Sequence, residues 1–531
     1  MTKSGSERKS YELISGLTKA SGLFMLLLLA APIATRPCAA QALRKPPSVA
    51  VTAPVVQTQH GRLQGVSEGG MRIFRGIAYA EAPVGGWRFR SPQPVQPWQG
   101  VRLASAFGPK AAQVAGGAVQ GEENCLTLNV WAPATAAANS RKPVVVWVHG
   151  GAFTGGSGSD FNGAVFAQRD DIVTVSINYR LGSLGFLYLG EALGREYRES
   201  SNCGLLDAIA ALRWVHQNIS AFGGDPARVT VMGESAGAKL VSAVLVAPAA
   251  QGLFQQVILE SGAVQSIRDT LTAATVTRRL LEELHLPADQ ARQLLTLPTA
   301  TLLQAQAKIA SGPGGLQLFG PVLDGKTLPT PPLDYLSQPN RTPVRVLMGT
   351  NREEAGLFIN MWPTLTSPNR EVLTALFGKN DSHVWQAYTA AQARQAPEQA
   401  WLSVLTDYLY RLATYRMAQT LADTKHPVWL YRFDYQDNEG QRPVHARELG
   451  YVWNSLPGTP ASASSAKTEG QQLAEQMHTQ WVQFIRTGSP SAVWPRYTAS
   501  RQIMVFDSVS RALPLTSPYE DPAFPVQGFV L

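Results

Sequence analysis

Seven short runs in this chain are apolar at nearly every position and rich in β-branched residues: Val144–Val148, Ile172–Ile177, Val229–Met232, Val257–Leu259, Val344–Met348, Val428–Tyr431 and Ile503–Phe506. A strand with one wet face alternates polar and apolar residues; a strand covered on both faces does not. Helical patterns separate several of the runs. Leu206, Ile209, Leu212, Val215 and Ile219 recur at three- and four-residue spacing within Leu205–Ile219, and Ala236–Val246 and Val276–Leu284 are further helix candidates. Strands alternating with helices predict an α/β chain with a mostly parallel central sheet and helices on both faces. Residues 55–105 carry Gly, Pro and shorter alternating runs, and predict an antiparallel N-terminal flank. Residues 265–430 mix helices with Pro-rich loops and predict a helical cap over one sheet edge.

Composition narrows the class. Charged residues are 16% of the 531, against about 25% in average proteins, and 45% are apolar, so neither disorder nor a coiled coil dominates. Low complexity is confined to Gly116–Gly121 and Gly458–Ser465, both read as surface loops. The formal charge of +8 overstates the basicity. Residues 1–42 hold five basic side chains (Lys3, Arg8, Lys9, Lys19, Arg36) and two acidic ones (Glu7, Glu12), and without them the balance is +5. No Lys/Arg run interleaved with aromatics follows, so there is no footprint for nucleic acid.

The first 42 residues have the layout of a secretory signal peptide. A basic leader precedes the apolar run Leu23–Ala34, and the small residues around Ala40 and Ala42 suit cleavage. The apolar run is short for a membrane span of ~20 residues, and no other stretch approaches that length. The expectation is an exported chain, secreted or periplasmic, whose residues 43–531 form a single domain with no membrane span. Cleavage would leave two cysteines, Cys125 and Cys203. Neither lies in a metal-binding pattern, so no zinc or other metal site is expected, and the fold cannot rest on a disulfide framework.

The chemistry concentrates at Gly233-Glu234-Ser235-Ala236-Gly237. An apolar strand runs into Gly-x-Ser-x-Gly, and small residues then open a helix, the setting a nucleophile elbow requires. The turn leaves no room for side chains at Gly233 and Gly237, and the helix N-terminus behind Ser235 favours developing negative charge. A serine hydroxyl needs a base, usually a His oriented by a carboxylate, and on this fold the chain order is Ser, acid, His. His383, His426, His445 and His478 all follow at a useful distance. His478 lies in a helical pattern, His426 abuts a strand start, and the nearer His285 ends a helical pattern. His445 follows a strand by a polar loop, where a mobile base belongs. For the acid, the loop after Val344–Met348 offers Glu353 and Glu354, which spacing does not separate; Asp324, in an Asp-Gly turn, competes. An oxyanion hole needs the amide after Ser235 together with amides of an earlier loop. His149-Gly150-Gly151-Ala152-Phe153, directly after Val144–Val148, can turn its N–H groups inward.

Together these segments resemble the type-B carboxylesterases, α/β-hydrolases that include cholinesterases and bacterial para-nitrobenzyl esterases. The resemblance runs over about residues 55–530 and includes Phe74-Arg75-Gly76-Ile77-Ala78-Tyr79-Ala80, Glu123-Asn124-Cys125-Leu126-Thr127-Leu128-Asn129-Val130, Phe222-Gly223-Gly224-Asp225-Pro226, Thr487-Gly488-Ser489-Pro490 and Trp494-Pro495. It implies the α/β-hydrolase fold, a small-molecule ester substrate and no cofactor. It also settles two choices. The family's Asn-x-x-Glu falls on Asn351 to Glu354 and selects Glu354, and its His before a Glu-Leu pair falls on His445. The implied oxyanion donors are Gly151, Ala152 and Ala236. Four features depart from the family pattern. Ala446 and Ala355 stand where Gly is common. The usual cysteine upstream of Cys125 is absent, and Val114–Gln120 lacks the aromatic residue that serves choline in cholinesterases. The resemblance implies a carboxylic ester hydrolase working through Ser235, Glu354 and His445 and an acyl-enzyme. The rival readings are a non-catalytic binding or adhesion protein of the same family, and an amide or carbamate hydrolase using the same site.

Overall fold

All seven apolar runs become strands of one sheet. The structure is a computed structural model, and it describes residues 53–339, 343–456, 467–515 and 520–526. The signal-peptide reading of residues 1–42 and the loop reading of 458–465 lie outside the described residues.

The large sheet has eleven strands: β1 (Val66–Glu68), β2 (Met71–Ala78), β3 (Thr127–Pro133), β4 (Lys142–Val148), β5 (Val173–Ile177), β6 (Gly224–Glu234), β7 (Gln256–Glu260), β8 (Arg345–Asn351), β9 (Val428–Phe433), β10 (Gln502–Phe506) and β11 (Arg511–Pro514). Their spatial order is β11-β10-β9-β8-β7-β6-β4-β5-β3-β2-β1. The seven runs are the seven consecutive strands β5, β4, β6, β7, β8, β9 and β10, and every pairing among them is parallel. Antiparallel strands close both edges.

The two faces of the sheet bury different residues, which is why the runs show no polar alternation. Val144, Val146, Val148, Val229, Val231, Val257, Leu259, Val346 and Met348 belong to one core. It packs on α1 (Cys203–Asn218) and α2 (Ala236–Val246). Val145, Trp147, Met232, Ile258, Leu347, Trp429 and Tyr431 belong to the other core, with Met477, Trp481 and Phe484 of α3 (Glu469–Thr487). Thr468 and Gln471 form a capping box at the start of α3, and Gly488, at φ 79°, ends it.

Two sequence expectations need correcting. The N-terminal flank is not wholly antiparallel, because Arg62–Gln64 pairs antiparallel with Val55–Gln57 but parallel with Val101–Leu103. The segment read as a Gly-rich loop at Gly116–Gly121 belongs to a hairpin, Gln113–Ala115 against Ala118–Gln120. Gly116 and Gly117, at φ 59° and 78°, occupy the two positive-φ positions of its turn, so these glycines mark a tight turn and not a slack loop. The region 265–430 is a run of helices interrupted by β8, which belongs to the central sheet. Cys125 and Cys203 are free and buried, and burial raises both thiols well above their ordinary range. No described helix is long and apolar enough to cross a membrane.

One buried ion pair ties this frame together. Arg180, just beyond β5, holds Asp207 of α1 in a two-pronged contact at 2.7 and 2.8 Å, with both side chains almost fully buried. Exposed pairs such as Lys308–Glu283 contribute about 0–1 kcal/mol, whereas removing one partner of a buried pair strands a charge at about 3–5 kcal/mol.

Candidate active site

In a parallel sheet, loops leaving the C-terminal strand ends converge, and four such loops build this site. β4 ends at Val148 and releases His149–Phe153. β6 ends at Glu234 and turns at Ser235 into α2. β8 ends at Asn351 and leads to Glu354. β9 ends at Phe433 and is followed by the loop that carries His445.

Ser235 occupies φ 54°, ψ −122°, a conformation costing a non-glycine residue on the order of 1–3 kcal/mol. The surroundings enforce it. A Cβ on Gly233 would lie 2.6 Å from the Gly237 carbonyl carbon, and the Ser235 N–H donates to the Glu260 carbonyl at 2.9 Å. The structure brings Ser235, His445 and Glu354 into one chain of hydrogen bonds. His445 Nδ1 lies 2.6 Å from Glu354 Oε2, and His445 Nε2 lies 2.8 Å from Ser235 Oγ. A carboxylate only accepts, so Nδ1 carries the proton and Nε2 accepts from the serine hydroxyl. Glu354 is fully buried, and its other oxygen accepts from the Asn351 N–H at 2.7 Å.

The pair Glu353 and Glu354 separates sharply. Glu353 points the other way and pairs with Arg352 and Arg442. Its N–H donates to the Pro443 carbonyl at 3.0 Å, so the acid loop and the histidine loop are zipped backbone to backbone. Asp324 is a turn residue, accepting from the N–H groups of Lys326, Thr327 and Leu328. The other histidines have separate tasks: His383 bonds Asp521 at 2.5 Å, His478 bonds Asp170 at 2.7 Å, His426 contacts Thr424, and His285 is exposed.

The loop after β4 has three consecutive positive φ angles, Gly151 109°, Ala152 53° and Phe153 59°. Among the described residues, the Gly151 and Ala152 amides donate no hydrogen bond. The Ala236 amide opens α2, where an N–H has no acceptor within the helix. His149 braces this loop. Its Nδ1 lies 2.9 Å from the Gly150 carbonyl, its ring stacks 4.5 Å from Tyr179, and burial lowers its pKa to about 4, so it stays neutral.

Several site residues escaped the sequence reading. Glu234 Oε1 approaches His445 Nε2 to 3.2 Å without a formed hydrogen bond, since Nε2 is engaged by Ser235. Burial and the charge of Glu354 push Glu234 up to about 8. Glu448 accepts from Ser261 and from Asn351, locking the histidine loop to β7 and β8; it was legible only as part of a motif. Phe358 and Tyr410 flank the His445 ring at 5.1 and 4.7 Å. The two alanines at expected glycines differ in consequence. Ala446 sits at φ 64°, which costs a non-glycine residue about 1–2 kcal/mol, while Ala355 opens the helix Ala355–Met361 and needs no glycine. Among the described residues no cluster of three or more His, Cys, Asp or Glu could hold a metal ion.

The sequence profile of the carboxylesterase family matches residues 52–512. The chain belongs to the carboxylesterase family. This carboxylesterase is 37% identical over 484 residues to the para-nitrobenzyl esterase of Bacillus subtilis (strain 168), covering 86% of this chain and 96% of the relative. It is 31% identical to human carboxylesterase 3, covering 92% and 91%. Among solved structures, the Geobacillus stearothermophilus carboxylesterase EST55 superposes with a TM-score of 0.77 at 37% identity, covering 86% of this chain and 97% of that one. The esterase therefore has the α/β-hydrolase fold and is a carboxylic ester hydrolase.

Proposed function

We propose that Ser235, His445 and Glu354 carry out ester hydrolysis through an acyl-enzyme. Ser235 Oγ attacks the ester carbonyl while His445 Nε2 takes its proton. Glu354 fixes the proton on Nδ1 and stabilises the imidazolium. The carbonyl oxygen, now negative, is held by the N–H groups of Gly151, Ala152 and Ala236. His445 returns the proton to the leaving alkoxide as the ester C–O bond breaks. Water then repeats the sequence on the acyl-serine: His445 accepts a proton from it, and the acid leaves with Ser235 restored. Every proton taken is returned, so the cycle needs no cofactor.

The observation that carries this reading is the continuous bonded chain from Glu354 through His445 to Ser235. A non-catalytic binding protein would have no need to keep Ser235 strained against a bonded imidazole. A serine-directed phosphonate should label one residue, Ser235, and abolish hydrolysis of a short nitrophenyl ester in proportion. An unlabelled protein, or labelling without loss of activity, would refute the assignment.

The basic leader, the apolar run Leu23–Ala34 and the small residues after it support export of residues 43–531 as a single-domain enzyme, secreted or periplasmic. N-terminal sequencing of protein from an exporting host should begin at Gln41 or Leu43. A chain retained in the cytoplasm with Met1 intact would contradict this.

A further inference from the structure

Two cations beside the triad have no part in the hydrolytic cycle. Lys239 lies one turn after Ser235 on α2 and is only 7% exposed; its N–H donates to the Ser235 carbonyl at 2.9 Å. Its ammonium lies 4.9 Å from the centre of the Tyr410 ring, which also packs against the His445 ring. The charge is thus one aromatic ring from the imidazole. Arg268, 1% exposed, follows the turn Val264–Ser266 and donates to the carbonyls of Ser266 and Gln317, leaving Nε without a partner. A Cβ on Gly320 would lie 2.4 Å from Arg268 Nη1 and 3.4 Å from the Phe153 ring. The guanidinium and the ring of Phe153, the residue after Ala152, therefore both border Gly320.

Elsewhere this chain neutralises its buried cations: Arg180 with Asp207 and Arg411 with Asp407. Among the described residues, neither Lys239 nor Arg268 has a carboxylate within ion-pair distance. Glu234 acts on Lys239 without forming an ion pair with it, and burial and the charge of Glu354 raise its own pKa. Burial, with the repulsion of Arg268, lowers Lys239 to about 8; Glu234 and Glu354 pull the other way, but neither is in an ion pair with it. Two buried cations near the triad, neither in an ion pair, suit an anion brought by the substrate.

We propose that Lys239 and Arg268 form an anion-binding wall of the substrate pocket, and that the preferred substrates are esters carrying a carboxylate a few bonds from the scissile carbonyl. This deepens the ester-hydrolase reading and rests on it. A substrate lacking the carboxylate would leave the two cations unpaired, and a site built for a polar group discriminates strongly against ligands without it.

Two matched pairs of esters test this on the full enzyme. For an acyl-side carboxylate the pair is 4-nitrophenyl hydrogen glutarate and 4-nitrophenyl butyrate. For an alcohol-side carboxylate it is 3-carboxyphenyl acetate and phenyl acetate. Each ratio of kcat/KM is measured in the wild type and again in Lys239→Met, where the intrinsic reactivity of the esters cancels, and is corrected for background hydrolysis. The anionic member of at least one pair should be favoured by about tenfold or more, a difference of about 1.4 kcal/mol. Lys239→Met should collapse that ratio about tenfold, and Lys239→Arg should restore most of it. On the wild type alone, glutarate should inhibit hydrolysis of the butyrate ester competitively at a concentration about tenfold lower than butyrate does. Turnover of the neutral esters with no preference in either pair would overturn the inference and leave the esterase reading standing. An unchanged ratio in folded Lys239→Met would overturn the role of Lys239. Turnover of none of the four esters would overturn both readings.

Discussion

Ser235→Ala is expected to lower kcat for a nitrophenyl ester by about 10⁴- to 10⁶-fold, and His445→Ala by a similar factor. In the proposed mechanism both side chains act in one proton transfer, and either loss removes the whole transfer. The double variant should therefore cost little more than the worse single one, far from the product of the two. Glu354→Gln is isosteric, yet an amide can offer its N–H₂ to Nδ1 and invert the tautomer that the 2.6 Å contact selects. Its expected cost is about 10⁴-fold. Glu353→Gln is the informative control. Glu353 faces Arg352 and Arg442 and not the imidazole, so its loss should weaken the packing of the two loops and leave kcat within about tenfold of wild type. Circular dichroism and denaturation midpoints would show that the variants are folded. The assignment fails if Glu354→Gln stays near wild type while Glu353→Gln or Asp324→Asn collapses.

That contrast marks where sequence reading works and where it stops. The seven apolar runs were legible because a strand buried on both faces is apolar at nearly every residue, and each became a parallel strand. The elbow was legible because Gly233 is demanded by a contact with Gly237, four residues on, whereas Gly237 is demanded by the distant end of β4 and was legible only through the pattern. Glu353 and Glu354 could not be parted by pattern, since adjacent residues differ only in which way the chain turns after Asn351. The loop 443–448, 90 residues downstream, decides that turn. Tyr410 reaches His445 from a helical segment that carries no motif. Lys239 did leave a trace: a lone lysine in Ala236–Val246, a helix with every residue buried, is a charge without an obvious solvent. Glu234 was read as the variable position of a motif, and only the structure shows its carboxyl beneath the Gly150 backbone and beside the imidazole.

Gly237→Ala should damage both stability and catalysis. The added Cβ would lie 2.1 Å from the Val148 carbonyl oxygen and 2.7 Å from that of His149, where ordinary contact begins near 3.4 Å. Both atoms are backbone at the end of β4, so no side-chain rotation relieves the clash. α2 must move off the sheet by about an ångström, at a cost of about 1–3 kcal/mol or more. The same shift separates the Ala236 amide on α2 from the Gly151 and Ala152 amides, which leave β4 directly. An oxyanion held by three amides, as proposed, tolerates that poorly, and a misplacement of this size costs about 10²-fold in rate. Gly86→Ala is the matched control, because a Cβ there meets nothing within 4 Å. Urea denaturation would read the stability loss, and kcat/KM with the rate of phosphonate labelling would read the catalytic one. A Gly237→Ala enzyme with a wild-type midpoint and wild-type turnover would mean that the elbow and the oxyanion loop are not coupled through this contact.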